Sequence, residues 1–151
     1  RSVQSRRFAL LTKLLTAWSL MALCVTIHAA GLSWALRRLR QLTDVARGFW
    51  PDTWLFIVLA AWIILLHLLE ISVWAFFFFW GDAIADLQSA FYFSAVTYTT
   101  TGYGDIVLPE DWRLAGGVEA LTGILMCGWS TGFFMAIVSR LYTPGARAAE
   151  R

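Results

Sequence analysis

The sequence is short of charge. Asp, Glu, Lys and Arg together make up 15% of its 151 residues, while hydrophobic residues make up 59%. An average soluble domain has about 25% charged and roughly 45–50% apolar residues. A soluble fold of this length has too little interior to hide so much apolar surface. The composition therefore predicts a single domain that lies mostly in lipid.

Cysteine, histidine and proline are also scarce, with two, two and three residues respectively. Cys24 and Cys127 both lie in apolar runs, which predicts buried thiols and leaves no basis for a disulfide framework. The sequence contains no nucleotide-binding loop, no metal-ligand spacing and no nucleophile constellation. We therefore expect no enzyme, no resident cofactor and no nucleic-acid partner.

Three apolar stretches are long enough to cross the hydrocarbon core of a bilayer, which takes about 20 helical residues. They run from Leu14 to Leu36, from Thr53 to Trp80 and from Trp112 to Tyr142. Tryptophan and tyrosine residues cluster near their ends, as they do at the two membrane interfaces. The predicted fold class is therefore an all-α membrane protein with three transmembrane helices.

Charged residues are segregated along the chain. Residues 37–52 carry four arginines and two aspartates, whereas residues 81–113 carry five acidic residues and one arginine. Because positively charged segments tend to remain cytoplasmic, we expect residues 37–52 and the tail 143–151 inside and residues 81–113 outside. The arginine cluster that opens the first of these segments is either a topology signal or a site for anionic lipid headgroups. Its members are Arg37, Arg38 and Arg40.

The stretch from Ala83 to Thr101 is moderately apolar but too short to span, and it ends at the triplet Gly102 to Gly104. It fits a helix of roughly four turns followed by a loop broken by glycine. Non-helical backbone at membrane depth survives only where protein buries it or where it lines a water-filled cavity. We therefore expect a re-entrant helix that returns to the same side, capped by Asp86.

The loop from Thr99 to Asp105 reads Thr-Thr-Thr-Gly-Tyr-Gly-Asp. Gly102 and Gly104 alternate with ordinary residues, and glycine adopts positive φ freely. Such a strand can turn successive carbonyls to one side. Four such strands around an axis form the oxygen cage that replaces the hydration shell of a potassium ion. The Thr100 hydroxyl would add oxygens at the inner mouth, and the Asp105 carboxylate would attract cations to the outer mouth.

The residues Thr100 to Gly104 resemble the filter loop of the potassium channel pore-domain family, with Thr101 in place of the commoner aliphatic residue. The resemblance covers residues 53–142 and is to the small bacterial channels of the two-helix pore type, with one extra helix in front. It implies a homotetramer with fourfold symmetry around one pore, in a bacterial inner membrane. The chain then divides into an extra transmembrane helix with a basic cytoplasmic loop (1–52), a pore domain (53–142) and a short cytoplasmic tail (143–151).

The resemblance assigns roles by position in the motif. The predicted filter set is Thr100, Thr101, Gly102, Tyr103 and Gly104. The carbonyls of the first four would bind potassium, which is the permeating ligand and not a cofactor. The Tyr103 side chain would point away from the axis and brace the loop against its surroundings.

The third span would be the inner helix that lines the pore. Its predicted pore-facing row is Ile124, Cys127 or Gly128, Thr131, Met135 and Ser139, which follows the spacing of one helix face. Gly123 matches the place where related inner helices bend, with Gly128 and Gly132 as second and third choices. An apolar constriction that gates by dewetting is expected at Met135 or Phe134. The alternative for any one of these residues is packing against lipid or another helix.

One position departs from the family pattern. Some bacterial relatives carry a pore-helix glutamate that pairs with the filter aspartate, and Val96 stands in that place here. We expect the brace on Asp105 to come from another group, such as the Trp112 indole, or to be absent. The departure bears on the stability of the open filter.

Four ionisable residues lie inside the predicted spans, where such groups are costly and normally face protein or water. They are His28, His67, Glu70 and Glu119. The last three form a candidate network behind the filter, at the depth of the re-entrant helix. This network either tunes the filter and senses pH or makes structural hydrogen bonds to that helix, for example to Tyr98. We expect His28 to make a helix–helix hydrogen bond.

The first span has two possible placements. Because the filter opens outward, the second span must run from inside to outside, and a spanning first helix then puts the N-terminus outside. Lys13 and the arginines before it argue against that placement, whereas the cluster at Arg37 to Arg40 argues for it. We expect the helix to span, and the alternative is a helix that lies in the cytoplasmic interface.

The sequence thus predicts a subunit of a potassium-selective channel that mediates passive potassium flux. Two alternatives stay open. A cation channel of relaxed selectivity is the first, because Thr101 is an unusual filter residue. A non-conducting regulatory membrane subunit is the second, and the intact filter motif argues against it.

Overall fold

The computed structural model describes residues 3–41 and 48–142, with side chains described for residues 11–40 and 48–140. Four α-helices are present: α1 (Val3–Gln41), α2 (Phe49–Trp80), α3 (Leu87–Tyr98) and α4 (Arg113–Tyr142). A 3-10 turn at Glu110–Trp112 leads into α4. No β-strand occurs in the described residues, so the predicted all-α fold is confirmed. Residues 42–47 of the basic loop and the predicted tail, 143–151, lie outside the described residues.

Within the described residues, three helices are long and apolar enough to cross a membrane. The spanning segments are Leu11–Arg40, Phe49–Trp80 and Glu110–Arg140. They coincide with the three predicted spans, which are thereby confirmed. The helix α3 has only 12 residues, or about 18 Å at 1.5 Å per residue. It is therefore too short for the hydrocarbon core of about 30 Å.

Local chemistry accounts for the limits of α2. The helix begins at Phe49, before the predicted Thr53, and Pro51 falls in its first turn. Proline is tolerated there because its missing N–H would have no helical acceptor. The helix ends at Trp80, and the N–H of the following Gly81 donates to the carbonyl of Phe77 at 3.0 Å.

The first helix, α1, runs antiparallel to α2 and parallel to α4. Near its start, the Lys13 ammonium lies 4.1 Å from the centre of the Trp112 ring, where α4 begins. Near its end, Ala35 packs with Leu59 and Ile137, at the start of α2 and the end of α4. α1 therefore lies along the length of both helices, as a spanning helix does. Its N-terminal end is level with the loop that joins α3 to α4.

The short helix α3 is held between α2 and α4. Asp86 caps it as predicted, because its carboxylate accepts a hydrogen bond from the Ser89 N–H at 2.8 Å. The Phe93 ring meets Phe78 of α2 edge-on, with ring centres 5.4 Å apart. The other residues on its buried side are Ala90, Ser94 and Tyr98. This packing fixes the helix end from which the candidate filter loop departs.

Candidate functional site

The loop that follows α3 contains the predicted filter residues and has an alternating backbone. Thr100, Gly102 and Gly104 have positive φ angles of 60°, 51° and 77°, and the residues between them do not. Two hydrogen bonds tie the loop to α3. The Thr100 N–H donates to the Thr97 carbonyl at 2.9 Å, and the Gly102 N–H donates to the Val96 carbonyl at 3.0 Å. Because a β-branched residue rarely adopts positive φ, the conformation of Thr100 is one that its surroundings impose.

One side of this loop is free of the chain's own atoms. Tyr103 is 71% exposed, and a Cβ built on Gly102 or Gly104 would meet no atom within 4 Å. The two glycines are therefore required by their backbone angles and not by crowding within the chain. The Thr101 hydroxyl lies 3.1 Å from that of Thr99, so it is hydrogen bonded inside the loop. Bracing by Tyr103 stays a prediction that would need a neighbouring chain.

The carboxylate of Asp105 has a brace, but the donor is Tyr92 of α3. The Tyr92 hydroxyl donates to Asp105 Oδ2 at 2.7 Å. This donor holds the pKa of the Asp105 carboxyl below its usual value. The predicted alternative at Trp112 is wrong, since that ring packs against Phe77 with centres 5.3 Å apart. Tyr92 precedes Val96 by one helical turn on the same face, and this spacing is the signal by which the sequence could have revealed it.

The helix α4 has a packed face and an exposed face. Every residue of the predicted pore row lies on the exposed face, among them Ile124 at 58% and Met135 at 55% exposure. Cys127 is one of them, so the predicted burial of its thiol is wrong. Phe134 does not belong to that face. It is half-buried, and its ring lies 5.7 Å from that of Phe56 in α2. The alternative constriction at Phe134 is therefore corrected to helix packing, and Met135 is the exposed candidate.

Gly123 lies on the packed face of α4. A Cβ at this position would overlap the carbonyl oxygen of Tyr98, the last residue of α3. The backbone of α4 approaches that carbonyl so closely that only glycine fits. Gly128 and Gly132, by contrast, would accept a Cβ with no atom within 4 Å. A close approach thus accounts for Gly123, while bending at any of the three stays a prediction.

Behind the candidate filter loop, a buried polar cluster joins all four helices. Nδ1 of His28, in α1, lies 2.8 Å from Oε1 of Glu70, in α2. The Tyr98 hydroxyl donates to the other Glu70 oxygen and lies 3.1 Å from Nδ1 of His67. Oγ of Ser130, in α4, lies 3.0 Å from Nε2 of His28 and 3.1 Å from Nε2 of His67. His28 and Glu70 are completely buried, and the predicted helix–helix bond of His28 is confirmed.

These contacts close a ring, which we call the polar ring. Its members in order are Glu70, His28, Ser130, His67 and Tyr98. Each contact in the ring joins a group that can donate a proton to one that can accept it. A completely bonded group is what burial requires. Glu70 and His67 thus make the hydrogen bonds to Tyr98 that the structural interpretation predicts.

Glu119 is not part of the polar ring. It is completely buried in α4, and the Ser94 hydroxyl of α3 is its polar neighbour. Neither the two carboxylate oxygens of Glu119 nor Oγ of Ser94 has a hydrogen-bond partner within the described part of the chain. The predicted network of three residues is thereby corrected. His67 and Glu70 bond with His28, Tyr98 and Ser130, while Glu119 stands apart.

Two spanning helices that flank a short capped helix and a glycine loop form the architecture of an ion channel pore. The chain belongs to the ion channel family, whose model matches residues 53–140, from the first turns of α2 almost to the end of α4. This match confirms the resemblance to the potassium channel pore-domain family. The chain is an integral membrane protein of that class.

A second similarity is to a curated channel protein. The Potassium voltage-gated channel protein Shal of Drosophila melanogaster is 36% identical over 73 residues. The aligned region is 47% of this chain and 13% of that protein, so the chain spans only a small part of its relative's length. No solved structure matches the chain.

Proposed function

We propose that four copies of this chain form a potassium-selective channel and that the loop from Thr100 to Gly104 is its filter. The observation that carries the proposal is the alternation of positive φ at Thr100, Gly102 and Gly104. Because alternate residues are left-handed, successive carbonyls can face one axis. Four such loops would supply the carbonyl rings that replace the hydration shell of potassium. The carbonyls of Thr100, Thr101, Gly102 and Tyr103 are the proposed ligands.

The charge at Asp105 and the orientation of α3 both suit a cation path along the loop. The exposed Asp105 carboxylate, whose pKa is lowered by the Tyr92 hydroxyl, would concentrate cations at the outer mouth. At the opposite end of the loop, the C-terminus of α3 carries the partial negative charge of its dipole. A cation that leaves the filter would then enter a cavity lined by the exposed face of α4, where Thr131 and Met135 lie.

The exposed side of the loop supports the fourfold assembly. Tyr103 and the neighbouring glycines have no cover from their own chain, and non-helical backbone inside a membrane needs protein or water beside it. In a tetramer, neighbouring copies would cover the loop on its outer sides, and its remaining side would face the central ion path. We expect native mass spectrometry of the purified protein to give four chains per particle, and a monomer that still conducts would contradict the proposal.

A cation channel of relaxed selectivity is the alternative, because Thr101 carries a hydroxyl where an aliphatic side chain is common. The 3.1 Å contact between the Thr101 and Thr99 hydroxyls argues for potassium. This hydrogen bond holds the Thr101 hydroxyl against the loop's own threonine, so we expect the backbone carbonyls, and not this hydroxyl, to bind the ion. The alternative predicts that Thr101→Val changes the ratio of potassium to sodium permeability, whereas we expect that ratio to stay the same.

The test is the reversal potential of the purified protein in a planar bilayer with potassium on one side and sodium on the other. We expect a reversal potential close to the equilibrium potential of potassium. A value near zero would support the cation channel, and no current at all would support the non-conducting subunit.

Two glycine variants test whether the selective current depends on the loop. Gly102→Ala places a side chain at positive φ, which costs about 1–2 kcal/mol per residue, and should abolish the selective current. Gly117→Ala, on the exposed face of α4 with no atom within 4 Å, should preserve it. Equal currents in the two variants would argue against a filter at Gly102.

A further inference from the structure

We propose that the polar ring is a zinc site, in which His28, His67, Glu70 and Tyr98 bind the ion and Ser130 orients the two imidazoles. Nothing in the proposed conduction of potassium calls for such a site. The proposal rests on the spacing of the donor atoms, on the second nitrogen of each imidazole and on the position of the site behind the filter loop.

The donor atoms lie close enough together to share one ion. One ligand atom from each of His28, His67 and Glu70 can be chosen so that all three lie within 4.8 Å of one another. Nδ1 of His28 is 2.8 Å from one Glu70 oxygen, and Nδ1 of His67 is 3.7 Å from the other. The Tyr98 hydroxyl, 3.1 Å from Nδ1 of His67, is the fourth donor. Zinc bonds of about 2.0–2.1 Å in a tetrahedron put neighbouring ligand atoms roughly 3.3 Å apart.

The Nε2 atoms of the two imidazoles contact Ser130, which leaves both Nδ1 atoms to bind the metal. A histidine that binds a metal through one nitrogen almost always donates its other N–H to a fixed acceptor. Here both Nε2 atoms lie about one hydrogen-bond length from a single acceptor, Oγ of Ser130, at 3.0 Å and 3.1 Å. A hydroxyl oxygen has two lone pairs and can accept both. Nδ1 of His28 then lies beside one Glu70 oxygen, and Nδ1 of His67 lies between the other oxygen and the Tyr98 hydroxyl.

The donor set suits zinc better than calcium or magnesium. Two nitrogens, a carboxylate and a phenol suit a borderline divalent metal in four-coordinate geometry. Calcium and magnesium need six or more oxygens, and this site has too few. Side-chain exposure is 0% for His28 and Glu70 and 16% for His67, so of these three ligands only His67 is accessible. The four ligands come from three helices, as in metal sites within helical bundles.

Because Tyr98 lies at the start of the candidate filter loop, an ion bound to it would connect that loop to α1 and α2. Tyr98 is the last residue of α3, its carbonyl abuts Gly123 of α4, and Thr100 begins the filter loop two residues later. An ion held by Tyr98, His28 and Glu70 would therefore fasten α1 and α2 to the base of the filter. We expect zinc to raise the unfolding temperature of the protein and to change the open probability of its current.

The first experiment measures binding without any current. The purified full chain in detergent micelles is titrated with Zn2+ at free concentrations set by a competing chelator, and Co2+ is added to a parallel sample. We expect one ion per chain and the visible spectrum of four-coordinate Co2+ with nitrogen and oxygen ligands. The proposal is overturned by the absence of saturable binding, or by a thiolate-to-metal band, which would place the ion at Cys24 or Cys127.

Matched variants separate a metal ligand from a structural residue. Glu70→Gln keeps a hydrogen-bond acceptor and donor in the polar ring but removes the anionic ligand, so it should fold and lose the site. Glu119→Gln makes the same change at a buried glutamate outside the ring and should bind zinc as the original chain does. Ser130→Ala removes the acceptor behind both imidazoles and should weaken binding about 10–100-fold. Unchanged binding in Glu70→Gln would overturn the assignment.

The failure of this proposal is distinguishable from the failure of the proposed function. Zinc binding is read from stoichiometry and spectra, whereas conduction is read from reversal potentials in chelated, zinc-free solution. Selective currents without zinc binding would overturn the site alone. If both are present, zinc should alter the open probability of the original channel and leave that of Glu70→Gln unchanged. An equal zinc effect on both would show that zinc acts elsewhere.

Discussion

At the scale of single residues, Tyr92 and Tyr98 determine how the filter loop is anchored. The Tyr92 hydroxyl donates to Asp105 at the outer end of the loop. The Tyr98 hydroxyl donates to Glu70 behind its inner end. Both phenols belong to α3, so one short helix holds the loop from both sides. The outer contact joins an exposed pair and the inner contact a buried pair. We therefore expect external pH to affect the outer contact and substitutions at the inner contact to affect stability.

The outer contact predicts a shift in pH dependence. Because the Tyr92 hydroxyl keeps the pKa of Asp105 below its usual value, the carboxylate stays charged down to a lower pH than an unbonded one. Tyr92→Phe should raise that pKa, so that acid in the outer solution reduces inward current with a midpoint at higher pH. The measurement is current against external pH. In an Asp105→Asn background the same change should have no effect, and an unshifted midpoint in the single variant would contradict the brace.

The two buried glutamates predict opposite effects on stability. Glu70 accepts hydrogen bonds from His28 and Tyr98, whereas the carboxylate oxygens of Glu119 accept none within the described residues. Glu70→Leu leaves buried donors without partners and should lower the free energy of unfolding by about 1–3 kcal/mol for each. Glu119→Leu removes a buried polar group without a partner and should keep or raise stability. Thermal unfolding in detergent compares them, and equal losses would refute the distinction.

At the scale of the element, α4 combines close packing with an open face. Its packed face includes Gly123, pressed against the end of α3, and Ser130, bonded in the polar ring. Its open face carries Ile124 and Met135. Since the spacing of three to four residues keeps each set on one side, the same helix can position the filter and face an ion path.

A glycine pair on α4 tests this division. Gly123→Ala would overlap the Tyr98 carbonyl and should destabilise the protein by about 1–3 kcal/mol or more, as overpacking does. Gly128→Ala meets no atom of its own chain and should stabilise the helix by roughly 0.5–1 kcal/mol. Unfolding midpoints of the two variants provide the comparison. If Gly123→Ala were tolerated as well as Gly128→Ala, the close approach of α4 to α3 would be wrong.

At the scale of the whole molecule, the direction of α1 determines which charges meet which side of the membrane. Lys13 lies beside Trp112, level with the loop before α4. Arg38 lies near the other end of α1, where its guanidinium is 5.5 Å from the Trp34 ring. The basic cluster thus gathers at the end of the bundle that is opposite to the filter's outer mouth. This distribution agrees with a cytoplasmic position for the cluster.

The direction of α1 predicts an external N-terminal end. A protease site inserted before α1 should be cut by protease added to the outer face of intact cells, and one placed after α4 should be cut only after permeabilisation. A helix that lies in the cytoplasmic interface would protect both sites in intact cells. Cleavage of neither site before permeabilisation would therefore contradict the spanning placement.

The sequence by itself determined the class of protein and the position of its candidate filter. Apolar length specifies a spanning helix whatever it packs against, because lipid is the solvent. Alternating glycines specify positive φ locally, because no other residue adopts it freely. The three spans, the cap at Asp86 and the ion channel family followed from such local signals.

Only the tertiary structure decided which side chains meet. His28 and Ser130 are 102 positions apart in the chain and reach each other at 3.0 Å, and no periodicity encodes that pairing. Glu119, at a similar predicted depth to Glu70, proved to be outside the polar ring because it faces Ser94. The brace on Asp105 came from Tyr92 and not from Trp112. Helix rotation and distance of approach determine these contacts, and they depend on the packing of all four helices together.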